Sequence, residues 1–406
     1  MDQETEPRRR PPERIRLAEI YRGPLAIAFG TSIAVVSGAT MIYPVLPVLA
    51  HDLTVDESKI GLVMVAFTAP AIVLAPLFGV LADLYGRRWL LVFGLTLFGL
   101  AGGAAALAPS YDWLLALRAL QGVGMSALTP LTIVLISDLL PQDREIHGQG
   151  IKVALDRVAM IVLPLLGGVL AILSWRAAFL PFLIVLLLAL AALIWMPETG
   201  QPGSDTLRRY LGRTTRALRE PRLHLAFATG FLRFFLDYGL FTYLPILAAL
   251  RYGATPTMSG LLVAISAVGS IFTAMTIDRI YLRVPTERLL ALAFFASALG
   301  LGALGAGAPL WVIAIAVFIF GLGNGLISPL QKSLMTRRTP AELRGGVIAV
   351  DRVIQQVAKS LSPAVLGLLL LVADLEAVFW SLCAFSAIGT LILIVVCFKR
   401  SSASEW

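Results

Sequence analysis

Long apolar segments constrain the fold of this chain more than any other feature of its sequence. Twelve of them recur between Gly23 and Phe398, and each approaches the length of about 20 residues that a helix needs to cross a bilayer. The predicted spans are residues 23–50, 58–82, 89–108, 112–138, 147–172, 175–196, 223–250, 257–279, 287–307, 310–336, 345–372 and 376–398. The chain is therefore expected to be an all-α polytopic membrane protein.

The composition excludes an ordinary soluble protein. Of the 406 residues, 58% are hydrophobic and only 14% are charged, and the mean hydropathy is +0.84. A soluble protein of this size needs more charged residues to cover its surface. The N-terminal segment is rich in arginine and proline, so we expect a soluble tail there and no cleavable signal peptide.

The net charge of +8 reflects topology, because the basic residues lie in alternate loops. These residues are Arg8, Arg9, Arg10, Arg14, Arg16, Arg87, Arg88, Arg208, Arg209, Arg213, Arg216, Arg219, Arg222, Arg279, Arg283, Arg337, Arg338, Lys399 and Arg400. The positive-inside rule then predicts that both termini are cytoplasmic. No nucleic-acid partner is expected.

A long polar interruption divides the chain into two sets of six spans. It contains glycine and proline followed by a basic stretch, a composition that suits the anionic cytoplasmic membrane surface. The predicted organisation is a cytoplasmic tail (1–22), a first six-helix bundle (23–198), a cytoplasmic basic linker (199–222), a second six-helix bundle (223–399) and a cytoplasmic tail (400–406).

Short matches at a nearly constant offset relate the two halves. The matching segments are Leu46-Pro47-Val48-Leu49 with Leu244-Pro245-Ile246-Leu247, Gly61-Leu62-Val63 with Gly260-Leu261-Leu262, Gly122-Val123-Gly124 with Gly321-Leu322-Gly323, and Asp156-Arg157-Val158 with Asp351-Arg352-Val353. Their offsets are 198, 199, 199 and 195 residues. Such a repeat predicts two pseudo-symmetric bundles with a substrate bound between them near the membrane midplane.

The decapeptide Gly79–Arg88 lies in the short loop between the second and third spans. Its glycines allow close helix approach and a turn, and Asp83 lies near two arginines with which it can pair. The segment resembles the loop 2–3 signature of the major facilitator superfamily, Gly-x-Leu-Ala-Asp-x-x-Gly-Arg-Arg. The resemblance implies a cytoplasmic latch made of Gly79, Asp83, Gly86, Arg87 and Arg88, with Asp138 and Arg144 as candidate partners. The alternative is that the two arginines only anchor the topology.

Further segments resemble motifs of the same family, and the resemblance covers nearly all of Gly23–Phe398. They are Arg118-Ala119-Leu120-Gln121-Gly122-Val123-Gly124, Pro164-Leu165-Leu166-Gly167-Gly168, Trp175-Arg176 and Pro197-Glu198-Thr199. The last three are similar to motifs of the drug:proton antiporter branch, although Leu163 stands where the antiporter motif has its first glycine. The resemblance implies the twelve-helix major facilitator fold and transport by alternating access.

Charged residues inside the predicted spans are the candidate proton-coupling groups, since each costs about 2.5–3.5 kcal/mol at mid-helix. They are Arg118, Lys152, Asp156, Arg157, Arg233, Asp237, Asp351 and Arg352. Asp237 is the preferred proton carrier, because burial and an approaching cation shift a carboxyl pKa in opposite directions. Asp156 and Asp351 are the next candidates. The competing interpretation is that Lys152–Asp156 and Asp351–Arg352 are structural ion pairs.

Polar and aromatic residues within the spans are candidates for the substrate cavity. They are Tyr43, Gln121, Tyr238, Phe241, Asn324, Gln355, Gln356 and Lys359. Any one of the aromatic residues is also explained by core packing. Basic groups outnumber acidic ones within the spans, which favours an anionic or zwitterionic substrate if these groups face inward. The first span has no acidic residue, although several multidrug members of the family carry one there.

No sequence motif points to an enzyme. The chain has no nucleotide-binding loop, no metal-spaced His/Cys cluster and no nucleophile motif, so we expect no cofactor and an ion gradient as the energy source. The expected function is proton-coupled efflux of small amphipathic compounds, by a monomer in the bacterial inner membrane whose partners are a small-molecule substrate, protons and the lipid bilayer. The alternatives are a carrier of anionic or zwitterionic metabolites or lysolipid-like amphiphiles, and a non-transporting receptor or scaffold on the same fold.

Overall fold

The computed structural model describes residues 23–199, 212, 215–281, 284–339 and 344–403, and every regular element in these residues is helical. We number the helices α1 (Gly23–Thr40, continued by Tyr43–Val45 and Leu46–Asp52), α2 (Glu57–Ile60, Leu62–Thr68 and Pro70–Tyr85), α3 (Arg87–Ala104), α4 (Tyr111–Leu139), α5 (Gln142–Leu173), α6 (Ala177–Leu183 and Ile184–Trp195), α7 (Pro221–Tyr252), α8 (Pro256–Tyr281), α9 (Thr286–Gly305), α10 (Leu310–Arg338), α11 (Arg344–Leu369) and α12 (Leu375–Ala403). The predicted tail 1–22 and most of the predicted linker lie outside the described residues.

Eleven helices in the described part of the chain are long and apolar enough to cross a membrane. The remaining one, α11, carries charged and amide side chains that lower its hydropathy. It is nevertheless packed into the bundle: the Ser362 hydroxyl donates to the carbonyl oxygen of Phe235 at 2.6 Å, and the Tyr243 hydroxyl donates to that of Pro363 at 2.9 Å. The predicted all-α membrane fold is confirmed, with α11 as a membrane helix that has one polar face.

Asp56 is the N-terminal cap of α2. Its carboxylate accepts a hydrogen bond from the backbone N–H of Ser58 at 2.8 Å and so caps the helix. Hydrogen bonds from Ser58 hold the pKa of the exposed Asp56 carboxyl below its usual range.

Glycine contacts inside the two halves show that they are built alike. A Cβ atom on Gly122 of α4 would lie 2.2 Å from the carbonyl oxygen of Phe67 on α2. A Cβ atom on Gly321 of α10 would lie 2.2 Å from the carbonyl oxygen of Ser266 on α8. Both members of the second pair stand 199 residues after their counterparts in the first. The sequence repeat therefore corresponds to a repeated helix packing.

The same offset relates two contacts between the halves. Where α2 meets α11, a Cβ atom on Gly61 would lie 2.9 Å from the carbonyl oxygen of Pro363. Where α8 meets α5, a Cβ atom on Gly260 would lie 2.4 Å from the carbonyl oxygen of Pro164. The two interfaces are thus pseudo-symmetric, and each has room for a glycine hydrogen and nothing larger.

A second symmetric pair lies beside the first. A Cβ atom on Gly168 of α5 would lie 2.8 Å from the Cα atom of Thr257, and one on Gly367 of α11 would lie 2.4 Å from the carbonyl oxygen of Ser58. The two halves therefore touch backbone to backbone at this end of the bundle, which we call the sealed end. The opposite end, which holds the loop at Arg87, is called the open end.

The packing also fixes how α5 and α11 correspond. The contacts of Pro164 and Pro363 set the offset at 199 residues, which pairs Lys152 with Asp351. The sequence match between Asp156 and Asp351 has an offset of 195 residues. These two aspartates are therefore one helical turn out of register and occupy different levels in the two halves.

Candidate substrate and proton site

A cavity of about 450 Å³ lies between the two halves at the open end, a volume typical of small-molecule sites. Helices α2 and α4 of the first half form one wall, and α11 of the second half forms the other. The described residues that line it are Ala71, Ala75, Pro76, Gly79, Val80, Ala82, Arg87, Thr129, Pro130, Leu131, Ile133, Val134, Ile348, Ala349, Arg352, Val353, Gln355, Gln356 and Lys359.

The polar wall is one face of α11. Arg352, Gln355, Gln356 and Lys359 follow one another at helical spacing, so they project to the same side. Arg87 adds a third basic group from the loop at the open end. Among the described lining residues three side chains are basic and none is acidic.

Aromatic rings hold the Lys359 ammonium group at the deep end of this face. Its Nζ atom lies 4.7 Å from the ring centre of Phe234 and 5.7 Å from that of Tyr238. No ion pair joins it to a carboxylate among the residues the structure describes. The cation–π contacts orient the ammonium group without neutralising its charge.

Asp237 lies in a hydrogen-bonded cluster on α7 and α10, and it is buried with 8% of its surface exposed. The Asn324 amide donates to its carboxylate. The Asn324 oxygen in turn accepts a hydrogen bond from Arg233 Nε at 2.7 Å. Arg233 Nε lies 4.0 Å from the Asp237 carboxylate, which is a long distance for an ion pair. The Asn324 side chain therefore links the two charged groups through its hydrogen bonds.

The first half contributes a second cluster on α5. Lys152 Nζ lies 2.7 Å from the Asp156 carboxylate, which also accepts a hydrogen bond from the Ser32 hydroxyl on α1 at 2.5 Å. Arg157 Nη1 donates to the Ser270 hydroxyl on α8 at 2.8 Å and so crosses between the halves.

The electrostatic field at Asp237 comes from both halves. Besides Arg233 on its own helix, Lys359 of α11 and Arg157 of the first half act on this carboxylate. One basic group from each of α5, α7 and α11 (Arg157, Arg233 and Lys359) is thus brought near this carboxylate. The cluster is centred on Asp237.

Asp351 is surrounded by amides. Gln331 Nε2 and Gln355 Nε2 donate to its carboxylate at 2.8 and 2.6 Å. The predicted pair with Arg352 is not among the contacts described for Asp351. Neighbouring residues on a helix point in different directions, so these two side chains do not face each other. Arg352 lines the cavity instead.

The structure places Arg118 and Gln121 away from the cavity. Both are fully buried, and Arg118 Nη1 donates to the Gln121 side-chain oxygen at 2.7 Å. Arg118 Nη2 donates to the carbonyl oxygen of Gly38 at 2.9 Å, and the guanidinium stacks 4.2 Å from the Phe67 ring. In this conformation the arginine ties α1, α2 and α4 together, and Gln121 is part of that packing.

The predicted aromatic cavity residues form a cluster between α1 and α7. The Tyr43 ring lies edge-on to Tyr238 at 6.2 Å and tilted against Phe241 at 5.7 Å. Tyr43 and Phe241 are 2% and 6% exposed and are not among the cavity-lining residues, nor is the buried Asn324. Of the eight residues predicted for the cavity, Gln355, Gln356 and Lys359 line it here.

The residues predicted for the latch lie in the first half, around the turn between α2 and α3. The guanidinium of Arg87 pairs with Asp138 at the end of α4, one of the two candidate partners predicted for the latch. The backbone N–H of Arg87 donates to the Glu198 carboxylate at 2.6 Å, over a turn in which Gly86 has φ +96°. The side chain of Asp83 lies outside the described part of the structure.

The remaining latch residues are placed on either side of that turn. Arg88 donates from Nη2 to the carbonyl oxygen of Leu193 on α6. Gly79 lines the cavity, and a Cβ atom there would meet nothing within 4 Å. These contacts of Arg87 and Arg88 join elements of the first half.

Four hydrogen-bonding partners of these residues are absent from the sequence predictions. Ser32 and Ser270 carry no signal, since hydroxyl residues are common in membrane helices. Gln331 is buried inside a predicted span, and as a buried amide it needs a hydrogen-bonding partner just as Gln355 does. Glu198 belongs to the Pro-Glu-Thr segment, but its position across from α3 depends on the packing of α6.

Comparisons with known proteins agree with this architecture. The model of the family described as Major Facilitator Superfamily matches residues 28–363 and 226–406. The chain is 25% identical over 398 residues to the Bacillibactin exporter of Bacillus subtilis, covering 91% of this chain and 94% of that protein. It is 26% identical over 390 residues to the multi-drug resistance efflux pump PmrA of Streptococcus pneumoniae, covering 92% and 96%. The crystal structure of a variant of the nucleoside transporter NupG superposes with a TM-score of 0.79 at 11% identity, covering 92% and 99%.

Proposed function

The chain belongs to the major facilitator superfamily, and from that premise we propose that it exports small amphipathic compounds in exchange for protons. Members of this family move small molecules across membranes, so the chain is a membrane-embedded transporter and not an enzyme. Export is supported by the two full-length relatives, which are named as an exporter and an efflux pump. We propose that the transporter works without a cofactor and draws on a proton gradient.

The proposed orientation puts the open end in the cytoplasm of a bacterium. The arginines of the loop at Arg87 and the basic stretch 208–222 belong to the same side by the positive-inside rule. Both termini are then cytoplasmic, and the protein acts as a monomer in the inner membrane. A cavity that opens to the cytoplasm is loaded from inside the cell, which suits an exporter.

The observation that carries proton coupling is the position of Asp237 between charges of both halves. Arg157 belongs to the first half but is held by Ser270 of the second, and in this arrangement it acts on the Asp237 carboxylate. Opening the sealed end separates α5 from α8 and withdraws Arg157. A carboxylate that loses a neighbouring cation in a buried site binds a proton more tightly. Protonation of Asp237 is thereby linked to the conformation.

The other two aspartates are less suited to this role. Asp156 is paired with Lys152 of its own helix, and that distance does not depend on how the halves are arranged. Asp351 accepts hydrogen bonds from two amides of its own half. Their electrostatic surroundings therefore change less on alternating access than those of Asp237.

Transport by reconstituted protein tests the proposal. We expect the protein in liposomes to move a fluorescent amphiphile, either the anionic 8-anilinonaphthalene-1-sulfonate or the cationic ethidium, when a pH gradient is imposed. Asp237→Asn should lose transport against the dye gradient but keep dye exchange, because the neutral side chain mimics a permanently protonated carrier. Asp112→Asn, on the exposed start of α4, is the matched control and should behave like the wild type.

Two results would contradict the proposal. Dye movement by the wild-type protein that is the same with and without the pH gradient would exclude proton coupling. Gradient-driven transport by Asp237→Asn at the wild-type rate would leave coupling possible but would remove Asp237 as its carrier.

A further inference from the structure

We propose that Asn324 is a positioning residue of the proton site: its amide keeps the Arg233 guanidinium from closing on the Asp237 carboxylate and so sets how tightly this carboxylate holds a proton. This inference rests on the proposed function and adds a residue that tunes the proposed carrier. It follows from the hydrogen bonds that join the three side chains and from the packing of α10.

The two hydrogen bonds of Asn324 fix the direction in which its amide faces. The side-chain oxygen accepts from Arg233 Nε at 2.7 Å, and the side-chain nitrogen donates to the Asp237 carboxylate. A guanidinium can only donate hydrogen bonds, and an ionised carboxylate can only accept them. The reverse orientation of the amide would therefore oppose donor to donor and acceptor to acceptor. An asparagine at this place serves one cation and one anion at the same time.

Arg233 and Asp237 are placed to form a direct ion pair when the amide is removed. They are four residues apart on α7, a spacing that puts both side chains on one face of the helix. Arg233 Nε lies 4.0 Å from the carboxylate, whereas a charge-assisted hydrogen bond of this kind measures about 2.7–2.9 Å and is roughly twice as strong as a neutral one. Closing this gap would hold the carboxylate in its ionised form.

Glycines on both sides of Asn324 hold α10 in the rotation that these contacts require. A Cβ atom on Gly323 would lie 2.4 Å from the carbonyl oxygen of Ala293 on α9. A Cβ atom on Gly325 would lie 2.5 Å from the carbonyl oxygen of Ser270 on α8. At the level of Asn324, α10 is thus packed closely against the backbone of two neighbours, so the amide is held toward α7 by the helix itself.

The other ionisable groups near the Asp237 carboxylate are not bonded to Asn324. They come from four helices and are Lys359 of α11, Arg157 of α5, Tyr238 of α7 and Tyr43 of α1. Within the described part of the chain, the hydrogen bonds of the Asn324 side chain go to Arg233 and Asp237. A change at Asn324 therefore acts on the carboxylate through the lost amide bond and through the position of Arg233.

Infrared titration of the purified full-length protein in nanodiscs tests the inference without any transport step. The signal is the carboxylic acid C=O band that is present in the wild type and absent from Asp237→Asn. Asn324→Ala removes the spacer and lets Arg233 close on the carboxylate, so the midpoint of this band should fall by about one pH unit, a tenfold weaker proton affinity.

A second variant separates the spacing from the hydrogen bonds. The leucine side chain has the same branched shape as the amide but no polar atoms, so Asn324→Leu keeps Arg233 away and removes the donor to the carboxylate. The midpoint should then rise by about one pH unit or more, since a buried carboxylate without its donor binds a proton more tightly. Opposite shifts in the two variants are the signature of a spacer, because a loss of packing alone would not change sign between them.

Ser297→Ala on α9 is the control. This serine is buried in the same half, and its hydroxyl donates to the carbonyl oxygen of Ala293 on its own helix at 3.0 Å, so its removal should leave the midpoint unchanged. The melting temperature of each variant shows whether it is folded. If Asn324→Ala is not, Asn324→Leu decides alone, because only a higher midpoint agrees with the proposal.

A midpoint that is unchanged or higher in Asn324→Ala would overturn the inference, as would an unchanged or lower midpoint in Asn324→Leu or the lack of an Asp237 band in the wild type. Proton coupling is measured separately by the Asp237→Asn transport experiment. A coupled transporter whose midpoints do not shift would retain the proposed function and lose this role of Asn324. Shifted midpoints in a protein whose transport ignores the pH gradient would give the reverse.

Discussion

The substitution Gly168→Ala on α5 tests whether close backbone contact keeps the sealed end closed. A Cβ atom there would lie 2.5 Å from the carbonyl oxygen of Pro256 and 2.8 Å from the Cα atom of Thr257, whereas ordinary contact begins at 3.4 Å. Both obstacles are backbone atoms, so no side chain can rotate away. Gly168→Ala should therefore push α5 and α8 apart.

The size of the effect follows from what overpacking costs. Extra methylene groups in a tightly packed site destabilise it by about 1–3 kcal/mol, and every 1.4 kcal/mol is a factor of about ten in an equilibrium. If the substitution destabilises only the conformation in which this end is sealed, by about 2 kcal/mol, the equilibrium shifts about 30-fold toward the conformation in which it is open. Gly150→Ala is the matched control, because it makes the same change on the same helix and its Cβ atom would meet nothing within 4 Å.

Distances between spin labels measure this shift. Labels on Asp112→Cys and Asp374→Cys would report the separation of the two halves at the sealed end, after the native Cys383 and Cys397 have been replaced by serine. Gly168→Ala should move the population to longer distances, and Gly150→Ala should leave it unchanged. If both variants give the wild-type distribution, backbone contact between α5 and α8 is not what keeps this end closed.

Two further predictions concern the loops. Gly86→Ala should lower the free energy of unfolding by about 1–3 kcal/mol, because Gly86 has φ +96° and a Cβ atom there would lie 2.6 Å from the Glu198 carboxylate. The melting temperature should fall for this variant and not for the control Gly79→Ala. Equal melting temperatures for the two variants would contradict this prediction. Asp56→Ala should cost about 1 kcal/mol at neutral pH by removing the cap on Ser58. Because the folded-state pKa of Asp56 is lowered, its charge-dependent stabilisation is complete above the ordinary carboxyl pKa and is lost as the pH falls through the folded value; the difference between wild type and Asp56→Asn should therefore shrink in acid, and a difference independent of pH would contradict this.

The sequence predicts the helices and their repeat well, since length, hydropathy and glycine spacing are local properties. The Gly122 and Gly321 repeat at 199 residues predicts equivalent packing, and the structure shows the same backbone contact twice. The Asp-Arg-Val match misleads because side-chain identity does not set the register of a helix. Contacts of the helix with its neighbours do, and here Pro164 and Pro363 fix it.

The direction in which a charged side chain points is harder to predict from the sequence. Arg118 and Arg157 both lie inside predicted spans, yet the first is buried against carbonyl groups and the second reaches the other half. Only the rotation of each helix in the bundle separates the two cases. The polar face of α11 is more predictable, because Arg352, Gln356 and Lys359 repeat at helical spacing on a single helix.

The two glycine–proline contacts at the sealed end have the form of an isologous interface, in which residue i of one copy meets residue j of the other and j meets i. Gly61 meets Pro363, and Pro164 meets Gly260, at positions 199 residues apart. A dimer of a six-helix ancestor would have made both contacts with one surface, so a single mutation altered both. In a single chain each of the two contacts can change independently of the other. The two halves differ at the level of the proposed proton site: Gly38 of the first half, whose carbonyl oxygen binds Arg118, corresponds to Asp237 in the second.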